Sequence, residues 1–165
     1  MYDVRWHATD TGARRALELH AAAHLRAAAG LVTSGRLCPR CGSSRHGRPW
    51  LRVGGTRHHV SLSRSGPHLL TAIADRPVGV DVESVAAVAS RWDPGLVLAG
   101  GEVATDDVAR ARAWARKEAV LKARGTGLAT PMGAVLLAEE RWADLDAPEG
   151  YVAAVSWGGR GAGAP

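Results

Sequence analysis

In the stretch VGVDVE, Asp81 and Glu83 alternate with valines, so on a strand both carboxylates lie on one face. Two acids about 7 Å apart along a strand make a poor salt-bridge pair. They suit a hard cation such as Mg²⁺, which prefers oxygen ligands. Taken alone, the six residues favour an edge strand with a solvated acidic face. A second group lies in WARKEAVLKARGTGL, Trp114 to Leu128, where Trp114, Glu118 and Lys122 recur every four residues and share one helical stripe. Glu118 and Lys122 in isolation read as an ordinary ion pair. The chain, however, has 19 arginines and only two lysines, Lys117 and Lys122, both in this segment. An arginine would serve a surface pair equally well. Lysine supplies a compact point charge and a tunable proton that a guanidinium does not. Trp114 reads as a core anchor; Lys117 either faces phosphate too or covers the helix.

Two further turns could bind phosphate. In HGRP, Gly47 permits close backbone approach, Pro49 stiffens the turn and Arg48 offers a guanidinium. In SLSRSG, Ser63, Arg64, Ser65 and Gly66 add hydroxyls, a second guanidinium and N–H groups at a strand end. Each alone reads as a basic turn. CPRCG has the Cys38/Cys41 spacing of half a zinc site, with His46, His58 and His59 following. Only one CxxC pair is present, so the expectation is a plain loop with reduced thiols.

The elements that must position these residues are short. YDVRW reads as a strand, and TDTGARRALELHAAAHLRAAAG as a helix capped near Asp10 or Thr11 and ended by Gly30. A Gly/Pro/Ser-rich loop, GRLCPRCGSSRHGRP, precedes strands near WLRV, HHVSLS, HLLTAIA and VGVDVE. A helix over about 105–124 stops at Gly125 and Gly127. AVLLA, ERWADLD and YVAAVSW read as strands, and residues 158–165 as a frayed tail. Strands grouped between two helices indicate an α+β fold in one domain.

The 165 residues, 46% hydrophobic and 22% charged, match an ordinary globular domain. The net charge of +5 is unevenly spread: residues 1–74 hold 11 Arg against three acids, and residues 75–165 hold 10 Arg and Lys against 13 acids. A polyanion on the first half and a metal on the second fit that split. No apolar run approaches the ~18 residues that span a bilayer. MYDVRWHATD lacks the basic start and apolar stretch of a signal peptide, so the expected location is the cytoplasm.

In chain order, GRP (usually GKP), SLSRSG (usually SHSG), VGVDVE and WARKEAVLKARGTGL resemble the Sfp-type 4′-phosphopantetheinyl transferases. The last two match that family's GxDxE and WxxKExxxKxxGxGL patterns in full, and the resemblance runs from about 14 to 156. It implies a 4′-phosphopantetheinyl transferase fold of two similar α+β lobes, about 1–74 and 75–157, with the ligand cleft between them. It implies transfer of the phosphopantetheine arm of coenzyme A to a serine of an acyl or peptidyl carrier protein, with release of 3′,5′-ADP and a requirement for Mg²⁺. Such transfer activates carriers of fatty acid, polyketide or nonribosomal peptide synthesis. By the resemblance Asp81, Glu83 and Glu118 hold the metal. Glu118 is the base for the carrier serine, directly or through water, and Lys122 stabilises the pyrophosphate leaving group. Gly47, Arg48, Pro49, Ser63, Arg64 and Arg14 or Arg15 bind the phosphates of coenzyme A.

Two departures from the family pattern stand out: Arg64 replaces the usual His, and Ser61 the usual Asn. With the short N-terminal part, they leave a CoA-binding relic of the same fold as one alternative. A small basic nucleic-acid-binding module is another; it leaves VGVDVE and both lysines unexplained, because acids facing a nucleic acid repel it. No nucleic-acid or membrane partner is expected.

Overall fold

The computed structural model describes residues 1–158; the expected frayed tail, apart from Gly158, lies outside them. Eight strands form two antiparallel sheets. The first contains β1 (Tyr2–Ala8), β2 (Val32–Leu37), β3 (Arg48–Val53), β4 (Thr56–Ser65) and β5 (His68–Ala74), in the order β1-β5-β4-β3-β2. The second contains β6 (Val78–Ser84), β7 (Trp142–Leu145) and β8 (Tyr151–Trp157), in the order β6-β8-β7. Helix α1 (Ala13–His24) belongs to the first sheet. The short α2 (Val85–Ala89) and α3 (Pro94–Val97) and the long α4 (Asp107–Arg124) belong to the second. The fold is mixed α+β, as expected.

Strand alternation gives each sheet two faces with different tasks. On the first sheet, Val32, Leu51, Val60 and Ile73 pack with Leu17 and Ala21 of α1. Leu70, Ala72 and Ala74 on the other face of β5 pack against Val78, Val80 and Val82 of β6. The intervening β6 residues Gly79 and Asp81 therefore point toward α4. A Cβ on Gly79 would fall on the Ala119 carbonyl oxygen and against the Ala123 nitrogen, so the glycine is what lets α4 lie on β6. Ala111, Ala115 and Ala119 continue the small-residue face of α4 against Val152 and Ala154 of β8.

Several elements differ from the sequence reading. The first helix ends at His24, well before Gly30, because Arg26 takes a left-handed conformation (φ 50°) and Ala27 N–H returns to the Ala22 carbonyl at 3.0 Å. VTSGRL forms β2, which was not expected. AVLLA is not a strand: its backbone closes 3₁₀ turns at Met132–Ala134 and Leu137–Glu139. The helix near 105–124 forms as expected, with Asp106 accepting from Ala109 N–H at 2.8 Å and Gly125 closing it at φ 76°.

Lys117 takes neither expected position. It is fully buried and donates to the Met132 and Val135 carbonyls at 3.3 and 2.7 Å and to Glu102 at 2.5 Å. Glu102 also accepts from Ala99 and Leu137 N–H, at 2.8 and 3.0 Å. Three acceptors around one ammonium pin the 3₁₀ segment after α4 to the helix, and a planar guanidinium does not offer that tetrahedral set of donors. Trp114 is half-buried among core residues of both α4 clusters, as a core anchor should be.

Candidate active site

The sheets meet along β4 and β6, and three alternate serines of β4 make the junction. Ser61 Oγ accepts from Val80 N–H at 3.1 Å, Ser65 Oγ accepts from Ser84 N–H at 3.2 Å, and Ser63 Oγ donates to Asp81 Oδ1 at 2.6 Å. These hydroxyls thus serve the β6 edge, and Ser63, expected at a phosphate, is instead a partner of Asp81.

Asp81 is buried. Its Oδ1 also accepts from Lys122 Nζ at 2.5 Å, and the same ammonium donates to the Val80 carbonyl at 3.2 Å. Its Oδ2 is buried with no hydrogen-bond partner among the described residues. Glu83, two residues along the strand, meets Arg91 at 3.1 Å, and that guanidinium lies 5.1 Å from the centre of the Trp114 ring. Burial, then the Asp81 charge, raises the Glu83 pKa to about 7. The same two causes, in the same order, raise that of Glu118. Asp81 carries an orphaned oxygen, and burial and the Asp81 charge push Glu83 and Glu118 toward protonation. Such carboxylates are the donors a hard cation takes, but their oxygens do not all lie within 4.8 Å of one another. The donor set is oxygen only, which suits Mg²⁺.

Lys122 also borders a cleft of about 1180 Å³ between the first sheet and the C-terminal end of α4. Among the described residues, its lining includes six cations (Arg36, Arg40, Arg48, Arg52, Arg57 and Lys122) and no acid. Leu37, Trp50, Val60, Leu62 and Leu128 supply an apolar remainder. Arg52 and Arg57 sit directly opposite each other across β3 and β4. Like charges in that position are destabilising unless an anion lies between them. Burial, then Arg57, lowers the Arg48 pKa from its ordinary value. Arg48 also lies against Gly125, where a Cβ would collide with its Nη1, so the αL glycine both ends α4 and seats the guanidinium.

Of the residues expected at phosphates, Gly47, Arg48 and Pro49 line this cleft together with Lys122. Arg14 and Arg15 do not: they are exposed on α1, and Arg14 pairs with Glu18 at 2.9 Å. Arg64 is exposed on β4, outside the lining. Arg36, Arg40, Arg52 and Arg57 line the cleft without having been anticipated. In a chain with 19 arginines residue type gives no signal, and only the pairing register brings them together.

Residues 77–150 match the family model of the 4′-phosphopantetheinyl transferase superfamily. No curated protein matches the chain. The matched segment begins just before β6 and ends just before β8, so it contains Asp81, Glu83, Glu118 and both lysines. The match covers 74 of the 165 residues, so it is this segment of the chain that is similar to that superfamily. Among the described residues no helix is long and apolar enough to cross a membrane.

Proposed function

We propose that the chain is an Sfp-type 4′-phosphopantetheinyl transferase that moves the phosphopantetheine arm of coenzyme A to a serine of an acyl or peptidyl carrier protein. The observation that carries this reading is the junction at Lys122. One ammonium borders a cleft whose charges are all cationic, with an apolar wall, and pairs with the buried Asp81. A nucleotide with several phosphates and an aliphatic arm fits the cleft. The two sheets with their helices are read as the two lobes of the family.

In this reading Arg48, Arg52 and Arg57 bind phosphates, and Trp50 and Leu128 cover apolar parts of the ligand. Asp81, Glu83 and Glu118 would hold Mg²⁺, which supplies charge neutralisation at the pyrophosphate. Lys122 stabilises charge that develops on the departing phosphate. Glu118, made more basic by burial, accepts the proton of the carrier serine, directly or through water. The serine Oγ–phosphorus bond forms as the phosphoanhydride bond breaks, and 3′,5′-ADP leaves. Coenzyme A and carrier proteins place this activity in the cytoplasm.

Intact-mass spectrometry of an apo carrier protein incubated with the chain, coenzyme A and Mg²⁺ tests the proposal. The expected result is a gain of one phosphopantetheinyl group, abolished by EDTA and by Glu118→Gln. Coenzyme A binding without transfer to several unrelated carriers would leave a relic of the fold. Absence of coenzyme A binding would overturn the assignment.

A further inference from the structure

The loop between β2 and β3 carries a second cluster that takes no part in the proposed transfer. Cys38, Cys41 and His46 each offer a ligand atom, and these three atoms lie within 4.8 Å of one another. Cys41 Sγ and His46 Nε2 are 3.4 Å apart. Two ligands at about 2.3 Å (sulfur) and 2.0–2.1 Å (nitrogen) from one tetrahedral zinc stand about 3.5 Å from each other, so this pair is already at ligand spacing. His58 and His59, which also follow the cysteines, lie on β4 and are not in the cluster.

The loop backbone is built to hold this arrangement. Gly42 N–H returns to the Cys38 carbonyl and Cys38 N–H to the Ser43 carbonyl, both at 2.9 Å, with Gly42 at φ 69°. Gly47, at φ 98°, lies so close to the Leu37 carbonyl and the Cys38 backbone that a Cβ there would clash with both. That contact folds the far end of the loop back and brings His46 to the cysteines. Both cysteines are free. A second CxxC pair is not needed to assemble three ligands, because the Gly47 contact supplies the third from the same loop.

We infer that Cys38, Cys41 and His46 bind a zinc ion, with solvent as fourth ligand, which fixes the wall of the cationic cleft. Cys38, Pro39, Arg40, Gly47 and Arg48 all line that cleft, so metal at the base of the loop holds two of its guanidinium groups in place. Two thiolates on Zn²⁺ form a site without net charge, so the metal does not compete with Arg40 for an anion in the cleft. The site does not depend on which reaction the cleft serves.

The test uses the reduced full chain, with Zn²⁺ and Co²⁺ as probes. Metal content by mass spectrometry should give about one zinc per chain after extensive dialysis. That zinc should be lost in Cys41→Ser and in His46→Ala, both exposed positions whose replacement leaves the core intact, and kept in Glu118→Gln. The cobalt form should show intense thiolate-to-cobalt charge transfer with tetrahedral visible bands, absent in Cys41→Ser. Amide exchange across 38–48 should quicken when the metal is removed. Three results would each overturn the inference: no zinc retained by the wild-type chain, zinc retained equally by Cys41→Ser and His46→Ala, or a Cys38–Cys41 disulfide in place of metal.

Discussion

Lys117 shows how a charged side chain can be a core residue. Its ammonium is enclosed by two carbonyls and Glu102, and it makes no contact with the cleft. Although burial pulls Glu102 upward, Lys117 and the Leu137 and Ala99 N–H groups hold its carboxyl below the usual value. Replacing Lys117 by Met removes the cation and leaves the Glu102 charge without its counter-ion and the Val135 carbonyl without the ammonium. Such a change costs about 3–5 kcal/mol. Lys117→Arg overfills an enclosed site and costs about 1–3 kcal/mol. Urea unfolding of both variants checks this, and a Met variant as stable as wild type would show that the ion pair carries nothing. Lys122 differs: it is partly exposed and shared between Asp81 and the cleft. Lys122→Ala should therefore reduce transfer strongly, with stability changed far less than by Lys117→Met. Two lysines on one helix, in a chain rich in arginine, thus divide into a buried structural one and one that the proposed function gives a chemical role.

At the scale of elements, the β6–α4 contact and the β3–β4 register carry the site. Gly79→Ala would push α4 off β6 and separate Glu118 and Lys122 from Asp81; overpacking of this kind costs about 1–3 kcal/mol. The fall in melting temperature should come with loss of activity. Arg57 makes the opposite case, because it faces Arg52 across the strands. Arg57→Gln should leave the ligand-free chain as stable as before or slightly more so. It should weaken coenzyme A binding at least about tenfold, since a hydrogen bond to a charged group contributes roughly 1.5–3 kcal/mol. Melting and calorimetric titration on one preparation separate the two effects. The same elements explain what the sequence disclosed. The GxDxE alternation and the four-residue stripe on α4 are local periodicities, so Asp81, Glu83, Glu118 and Lys122 were legible as a group. The partners of Lys117 lie in turns 15 and 18 residues further along and have no periodicity. Ser63 and Ser65 resemble phosphate ligands because their type fits both tasks; only the β4–β6 packing assigns their hydroxyls to β6. The cysteine loop looks plain along the chain because ligand counting seeks a second pair, whereas the fold brings His46 to the two cysteines from the same loop.

For the whole molecule, the raised carboxyls Glu83 and Glu118 make stability depend on pH, and the proposed metal site makes it depend on a divalent cation as well. Glu83, with its pKa raised to about 7, and Glu118, raised in the same direction, keep their protons in the folded chain where the unfolded chain has lost them. The folded state then binds more protons than the unfolded state between pH 4.5 and 7, so stability falls as pH rises through that window. Buried His20 acts with the opposite sign. Burial lowers its pKa despite Asp3 alongside, so its contribution is lost as pH falls below the ordinary histidine value. His7 and His59, lowered chiefly by burial, add to that trend. Comparing wild type with Glu83→Gln at each pH cancels the histidines. Without divalent cation, the Gln variant should gain on wild type as pH rises from 5 to 8, by on the order of a few degrees in melting temperature. If Asp81, Glu83 and Glu118 hold Mg²⁺ as proposed, the ion should reverse the order at pH 8 by stabilising the folded wild type through mass action. At pH 5, well below the raised value of Glu83, Mg²⁺ should shift the wild type less than at pH 8. Equal shifts at both pH values, or in both proteins, would place the ion elsewhere than on these carboxylates.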